Sequence, residues 1–257
     1  MEIQKSSGII LQSRSSGEAD TIATVFTGEY GKRTFIFKGL RKSKKRPRSA
    51  VEPGSALDLV YYYRENRPVI VANEFTLLQD ILEIRDDLGK ILNVYYMLET
   101  VDRTTAPGDP AQSIYNLLYS ALNTMKTTGS PLHLTVCFTL HLLHAIGILP
   151  SINTCAACGK PITTEFRIQV DDFHAVCGTC CQEHPDPNRS NPVDPAILKF
   201  VHEIYSMKFN HMAHEEYTES QLLRLLFPVS LFLEHYFHTT IKSKSLLFDH
   251  YRQQDSK

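Results

Sequence analysis

Apolar residues recur with two different periods along this chain, and the period changes near Leu78. Before that point the apolar runs are short, β-branched and aromatic: Gly8–Gln12, Thr21–Thr27, Lys32–Lys38, Ser55–Tyr63 and Val69–Leu77. Turn-forming residues separate them, namely Ser15-Ser16-Gly17, Thr27-Gly28-Glu29-Tyr30-Gly31 and Arg64-Glu65-Asn66-Arg67-Pro68. Ala56–Tyr63 alternates, with Leu57, Leu59, Tyr61 and Tyr63 on one face. Phe35 and Phe37 share a face, opposite Lys32 and Lys38, and read as core. Tyr62 faces away from Tyr61 and Tyr63, which makes it the better candidate for stacking on a base. Five short strands predict a small closed barrel. The OB-fold is the commonest five-stranded one, and periodicity alone leaves an SH3-like barrel open.

After Leu78 the period becomes 3.6. Ile81, Ile84, Leu88, Ile91, Leu92, Tyr95 and Leu98 fall on one helical stripe. Asp109-Pro110, Ser130-Pro131 and Asp194-Pro195 each place a capping side chain before a proline suited to the first helical position. Gly147 and Pro150 stop the second of these helices. Thr218-Glu219-Ser220-Gln221 is a capping-box pattern opening a further helix that runs to about Thr239, with a kink expected at Pro228. Leu222–Leu233 is apolar nearly all round and belongs at the centre of a helical bundle.

Between the helices lies the strongest chemical signal. Cys155-Ala156-Ala157-Cys158 and Cys177-Gly178-Thr179-Cys180 are two C-x2-C knuckles separated by eighteen residues, a spacing expected of a zinc ribbon. Each knuckle aims two sulfurs at one ion, and together they complete a tetrahedron with no open position for water or substrate. Such a site is structural. Gly159 and Gly178 stand where knuckle turns call for relaxed backbone angles. Cys181, His174 and His184 lie near the cluster, but four spaced cysteines already suffice. Cys137 reads as a buried small hydrophobe.

Composition is ordinary for a globular protein, with 42% hydrophobic and 21% charged residues among 257. Met1–Arg14 lacks the apolar core of a secretory signal, and the longest apolar run, Leu134–Leu149, is too short for a membrane span and contains His141 and His144. Reduced thiols and a metal suggest the cytoplasm. Charge is distributed unevenly. Lys38, Arg41, Lys42, Lys44, Lys45, Arg46 and Arg48 occupy one acid-free stretch, and removing their seven charges from a net of −1 leaves the remainder at −8. A positive loop on an acidic body points to a polyanion partner, and loops between barrel strands are where such folds hold nucleic acid.

Catalytic motifs are missing: HExxH, GxGxxG, a Walker loop and GxSxG are all absent. The adjacent pairs Asp86-Asp87 and Asp171-Asp172 diverge in regular structure and do not share a substrate. His211 and His214 with Glu215 and Glu216 offer a second metal site or, as the commoner outcome, a solvated surface. A zinc-ribbon RNA-binding protein and a metal-dependent nuclease are the alternatives to a DNA-binding protein.

In its order of barrel, helices, zinc knuckles and further helices, the chain resembles the RecO family of bacterial recombination mediators. The resemblance is carried by Ile10-Leu11 through Arg14, Glu18-Ala19-Asp20, and Phe26, Thr27, Glu29, Gly31 and Lys32. It continues in Lys38-Gly39-Leu40-Arg41-Lys42 with Lys44-Lys45, in Gly147-Ile148-Leu149-Pro150 leading to the first knuckle, and in Ile241-Lys242-Ser243-Lys244-Ser245 as a basic tail after the last helix. It implies an α+β fold: an N-terminal five-stranded OB-fold (1–79), then an all-α bundle (80–150 and 186–257) with an inserted four-cysteine module (151–185). It also implies a non-enzymatic role in DNA repair. The family binds single- and double-stranded DNA and anneals complementary strands. With RecR it loads recombinase onto DNA coated by single-strand binding protein, whose acidic C-terminal tail it also binds. By position, DNA contact falls to Arg14, Lys38, Arg41, Lys42, Lys44 and Lys45, and one structural zinc to Cys155, Cys158, Cys177 and Cys180. Lys242 and Lys244 are assigned to the acidic tail on charge alone. The expected location is the cytoplasm, at the nucleoid.

Overall fold

A computed structural model describes residues 2–63, 68–149, 152–186, 192–206 and 217–254. The expected Arg64–Arg67 turn and the His211, His214, Glu215 and Glu216 group lie outside the described residues. The chain forms two compact units, Met1–Thr128 and Gly129–Lys257.

In the first unit, β1 (Glu2–Ser16), β2 (Asp20–Thr27), β3 (Gly31–Phe37), β4 (Ala56–Tyr63) and β5 (Val69–Gln79) close a barrel in the order β1-β2-β3-β5-β4. The β3–β5 pair is parallel and the other pairs are antiparallel. That arrangement is the OB-fold and removes the SH3-like alternative. Alternation fills the interior as expected: Phe35, Phe37, Leu57 and Tyr61 are wholly buried. Phe35 meets Tyr61 edge-on at 5.0 Å. The Arg33 guanidinium lies over the rings of Tyr30 and Tyr63 and donates to the Tyr61 hydroxyl.

β1 is much longer than the apolar run Gly8–Gln12 that predicts it. Its first half pairs with β4 and its second half with β2, with a register shift between Ile10 and Gln12 that bends it from one partner to the other. The polar flanks, Lys5-Ser6-Ser7 and Ser13 to Ser16, are held by these ladders and carry no apolar side chain, so periodicity does not reveal them.

α1 (Leu88–Thr104) and α2 (Gln112–Thr127) pack on the outside of the barrel wall against β1 and, for α2, β2. Ile9 and Phe26 face outward from the barrel yet are fully buried. Lys32 and Asp102 form a largely enclosed ion pair at 3.2 Å that ties α1 to β3. The buried face of α1 runs through Val94, Met97, Leu98 and Val101, while Leu88 and Tyr95 of the predicted stripe stand exposed. Threonines explain the error: Thr100 and Thr104 return their hydroxyls to the Tyr96 and Thr100 carbonyls and are themselves buried on that face. The helix starts at Leu88 because Asp87 caps it, accepting from the Lys90 N–H. Asp109-Pro110 does not open α2 as expected. Its segment straps the β2–β3 turn instead, with Gly108 N–H on the Lys32 carbonyl and Ala111 N–H on that of Gly28.

In the second unit, α3 (Pro131–Ile146) packs against a later helix, α5, which spans Ala196–Ser206, and against α6 (Glu219–Tyr236). The capping box at Thr218 and Gln221 is present, and Leu222, Leu225, Leu226, Val229 and Leu233 are buried, as a central helix requires. α6 ends at Tyr236 rather than near Thr239, because His238 adopts a left-handed conformation (φ 48°). The segment read as a basic tail opens a last helix, α7 (Ser243–Gln254), which packs on α6. Burial of Leu247, Phe248 and Tyr251 drives this, each such side chain contributing about 1.5–3 kcal/mol. Between α3 and α5 lie β6 (Phe166–Ile168), β7 (Ala175–Cys177) and the short α4 (Gly178–Glu183). No helix among the described residues is long and apolar enough to cross a membrane.

Candidate metal centre and nucleic-acid interface

The two knuckles converge. The Sγ atoms of Cys155, Cys158, Cys177 and Cys180 all lie within 4.8 Å of one another, and those of Cys158 and Cys177 are 4.0 Å apart. A tetrahedron with metal–sulfur bonds of about 2.3 Å has sulfurs about 3.8 Å apart, so the four fit one ion with small adjustment. The first knuckle is shaped by Gly159, left-handed at φ 71°, whose N–H returns to the Cys155 carbonyl. Gly178 does not share that conformation. A Cβ there would come to 3.3 Å of the Glu165 carbonyl oxygen that accepts its N–H, a tight approach.

Electrostatics also call for a cation. Burial pushes the Cys155 thiol up, but N–H donors from Cys177, Cys158 and Ala157 outweigh it and bring the group down to about 6. Cys180 is pushed up to about 12 by the sulfurs of Cys177 and Cys158, and further by burial. A cluster with one thiol prepared to ionise and another held back by its neighbours becomes a set of four thiolates only around a positive ion. Cys181 points elsewhere, its Sγ donating to the Val176 carbonyl, and His174 pairs with Asp172. Cys137 is buried in α3, as expected.

The basic loop connects β3 to β4. Its core side is anchored: Leu40, Ala50 and Val51 are buried with the barrel interior. Its start is bonded to the β1–β2 turn. Lys38 Nζ lies 2.8 Å from Asp20 Oδ2, and Gly39 N–H donates to Asp20 Oδ1 at 2.8 Å. Arg41 donates its backbone N–H to the Ala19 carbonyl and its guanidinium to that of Gly17. Lys42 pairs with Glu18 at 2.8 Å. Lys38 and the Gly39 N–H hold the Asp20 carboxyl below the usual carboxylate range. Arg46 turns back to the Lys38 carbonyl at 2.6 Å and lies over Phe75. Lys44, Lys45 and Arg48 project from the loop, exposed, with no ion pair or side-chain hydrogen bond among the described residues.

Arg14 belongs to the same end of the barrel. It is exposed on β1 and pairs with Ile22 of β2, which pairs with Ile36 of β3, which pairs with Val71 of β5. Ile22 lies two residues from Asp20. This row faces outward, away from Ala23, Phe35 and Phe37 in the core. Lys38, Arg41 and Lys42 thus meet the β1–β2 turn, Arg14 lies on β1 just before that turn, and Lys44 and Lys45 follow on the loop. Tyr62 is exposed on β4, which pairs with the first half of β1 rather than with the half that carries Arg14. Arg48 has the same standing as Lys44 and Lys45 and is missing from the sequence-based set, although its place in the acid-free stretch is the signal that identifies it.

Lys242 and Lys244 lie in the second unit. Lys242 is exposed, whereas Lys244 forms a largely enclosed ion pair with Glu234, which also accepts the Ile241 N–H at 2.8 Å. Lys244 is therefore part of the α6–α7 corner.

Comparison with known proteins agrees with this architecture along its length. The family described as Recombination protein O N terminal matches residues 1–79, and Recombination protein O C terminal matches residues 85–245. The chain is 27% identical over 248 residues to DNA repair protein RecO of Desulforamulus reducens, covering 96% of this chain and 94% of that one. It is 28% identical over 238 residues to DNA repair protein RecO of Leptospira biflexa, covering 90% and 93%. With the barrel, the cysteine cluster and both family regions in one order, the chain belongs to the RecO family of DNA repair proteins.

Proposed function

We propose that this chain is a non-enzymatic mediator of recombination that binds single- and double-stranded DNA by its phosphates and brings complementary strands together. The observation that carries this reading is the set Lys44, Lys45 and Arg48, three exposed cations whose side chains make no ion pair or hydrogen bond among the described residues, on a loop whose root is buried. Mutual repulsion on such a loop is relieved by a phosphate backbone, with entropy gained from released counterions. Arg14, Lys38, Arg41 and Lys42 extend the same surface. Phosphate contacts carry no sequence information, so any sequence serves, and screening of strand repulsion speeds pairing without covalent chemistry.

The ion of the four-cysteine cluster is zinc, one per chain, held by Cys155, Cys158, Cys177 and Cys180. A complete thiolate tetrahedron has no open coordination position, so its role is to fold the module. With RecR, the chain would act on DNA coated by single-strand binding protein. The acidic tail of that protein would meet the second unit, with Lys242 as the available cation of the pair proposed from sequence. The setting is the cytoplasm, at the nucleoid.

The test is annealing of complementary oligonucleotides coated with single-strand binding protein, with wild type and with the loop cations replaced by alanine. Acceleration lost in the variant supports the reading. Tight, selective binding of RNA over DNA of equal length would instead favour an RNA-binding protein.

A further inference from the structure

The contacts at the root of the basic loop divide into two kinds. Asp20 has both carboxylate oxygens engaged, one by Lys38 Nζ and one by the Gly39 N–H, and its side chain is 22% exposed. The Gly39 N–H belongs to a left-handed residue (φ 65°) at which the chain leaves β3 for the loop. Beside it, the Ala19 carbonyl fixes the Arg41 N–H at 2.8 Å and buried Leu40 sits between the two bonds. Glu18 is different. Among the described residues its side chain pairs with Lys42 alone, at 2.8 Å, and is 88% exposed, with Lys42 itself at 64%. Such a pair exchanges readily with solvent ions and contributes little to stability.

We propose that the β1–β2 turn is an anionic clamp that prepares the loop for DNA. In it, Asp20 positions Lys38 and the first turn of the loop and stays in place when DNA binds, whereas Glu18 is a resident counter-ion on Lys42 that a phosphate displaces. The proposal rests on the DNA-binding reading above. It makes Asp20 a positioning residue, acting through Lys38, Gly39 and Arg41. Keeping Lys42 partly neutralised lowers the repulsion among the loop cations while no DNA is bound. It also lowers affinity, because a phosphate must first exchange with Glu18.

Two substitutions test the division because each removes one negative charge from the same turn. Binding of the full-length chain to a labelled single-stranded oligonucleotide is measured by fluorescence anisotropy across a salt titration. Glu18→Gln is expected to tighten binding about 2–5-fold at low salt, the range that a pair worth up to about 1 kcal/mol allows. Asp20→Ala is expected to weaken binding about 5-fold despite the same gain in net positive charge, because a disordered root loses the preorganisation of three cations. Hydrogen exchange at the Gly39 and Arg41 amides separates positioning from charge. Protection should persist in Glu18→Gln and be lost in Asp20→Ala. Should Asp20→Ala destabilise the barrel itself, Asp20→Asn keeps an acceptor for the Gly39 N–H while removing the negative charge that faces Lys38, and is expected to fall between wild type and Asp20→Ala. Equal tightening by Glu18→Gln and Asp20→Ala would mean that charge alone matters and would overturn the proposal. So would unchanged affinity in Glu18→Gln with wild type bound normally. A folded wild type that binds no DNA would remove the functional reading itself, and the clamp with it.

Discussion

Replacing Lys44, Lys45 and Arg48 together by alanine isolates the part of the loop that has no structural duty. All three side chains are exposed and make no ion pair or side-chain hydrogen bond among the described residues, so their loss leaves the anchors at Leu40, Ala50 and Val51 untouched. Each phosphate contact contributes about 0.7 to the slope of log affinity against log salt on single strands and about 0.9 on duplex. If all three cations meet phosphates, the triple variant loses about 2 units of slope on single-stranded DNA. Between roughly 50 and 200 mM salt, wild type should then lose about 20-fold more affinity than the variant does. Lys42→Ala should flatten the slope less than Lys44→Ala, because Lys42 already carries Glu18 as a counter-ion. The assay is anisotropy of a labelled oligonucleotide across a salt series, with melting temperature as the check on folding. A folded triple variant with the wild-type slope would refute the assignment of these cations to phosphates.

Three further outcomes are expected. Removing the metal with a strong chelator should abolish amide protection in β6, β7 and α4 while the barrel strands stay protected. Structural zinc supplies on the order of 10 kcal/mol of folding free energy, a large term for a module this small even with Phe166, Ile168 and Phe173 buried. Leu40→Ala should cost about 2–5 kcal/mol in a denaturant titration and also weaken DNA binding, since one buried side chain anchors the root of the loop. Burial, with His144 nearby, pulls His141 down to about 4. The unfolded chain therefore binds the extra proton first, and stability should be full above about pH 6.5 and decline as pH falls towards 4. His141→Leu should flatten that decline in melting temperatures taken between those values.

The sequence announces those features in which chemistry or burial imposes a regular spacing. Two C-x2-C knuckles carry the spacing that lets four sulfurs converge on one point, and Leu57, Leu59 and Tyr61 point inward because a barrel has one interior. Features decided by backbone pairing or by polar partners far away in sequence are less legible. The outer halves of β1 are polar and are found only through their ladders to β2 and β4. The buried face of α1 includes Asn93, Thr100 and Thr104, whose polar groups bond within the helix, so an apolar stripe drawn from sequence is rotated away from it. Asp109-Pro110 has the form of a helix start but lies against the β2–β3 turn, and the basic segment around Lys244 closes on Glu234. Within the candidate interface, the acid-free stretch identifies the cations. Nothing in local sequence says that Glu18 and Asp20 across the barrel end already neutralise two of them.

The central claim, that the anchored basic loop brings DNA strands together, is tested most directly by annealing. The measurement is the rate at which complementary strands coated with single-strand binding protein pair, with wild type and with the Lys44, Lys45 and Arg48 triple variant. Acceleration by wild type and its loss in a folded, metal-loaded variant is the predicted result. Equal acceleration by both proteins, or none by a folded wild type, would contradict the account.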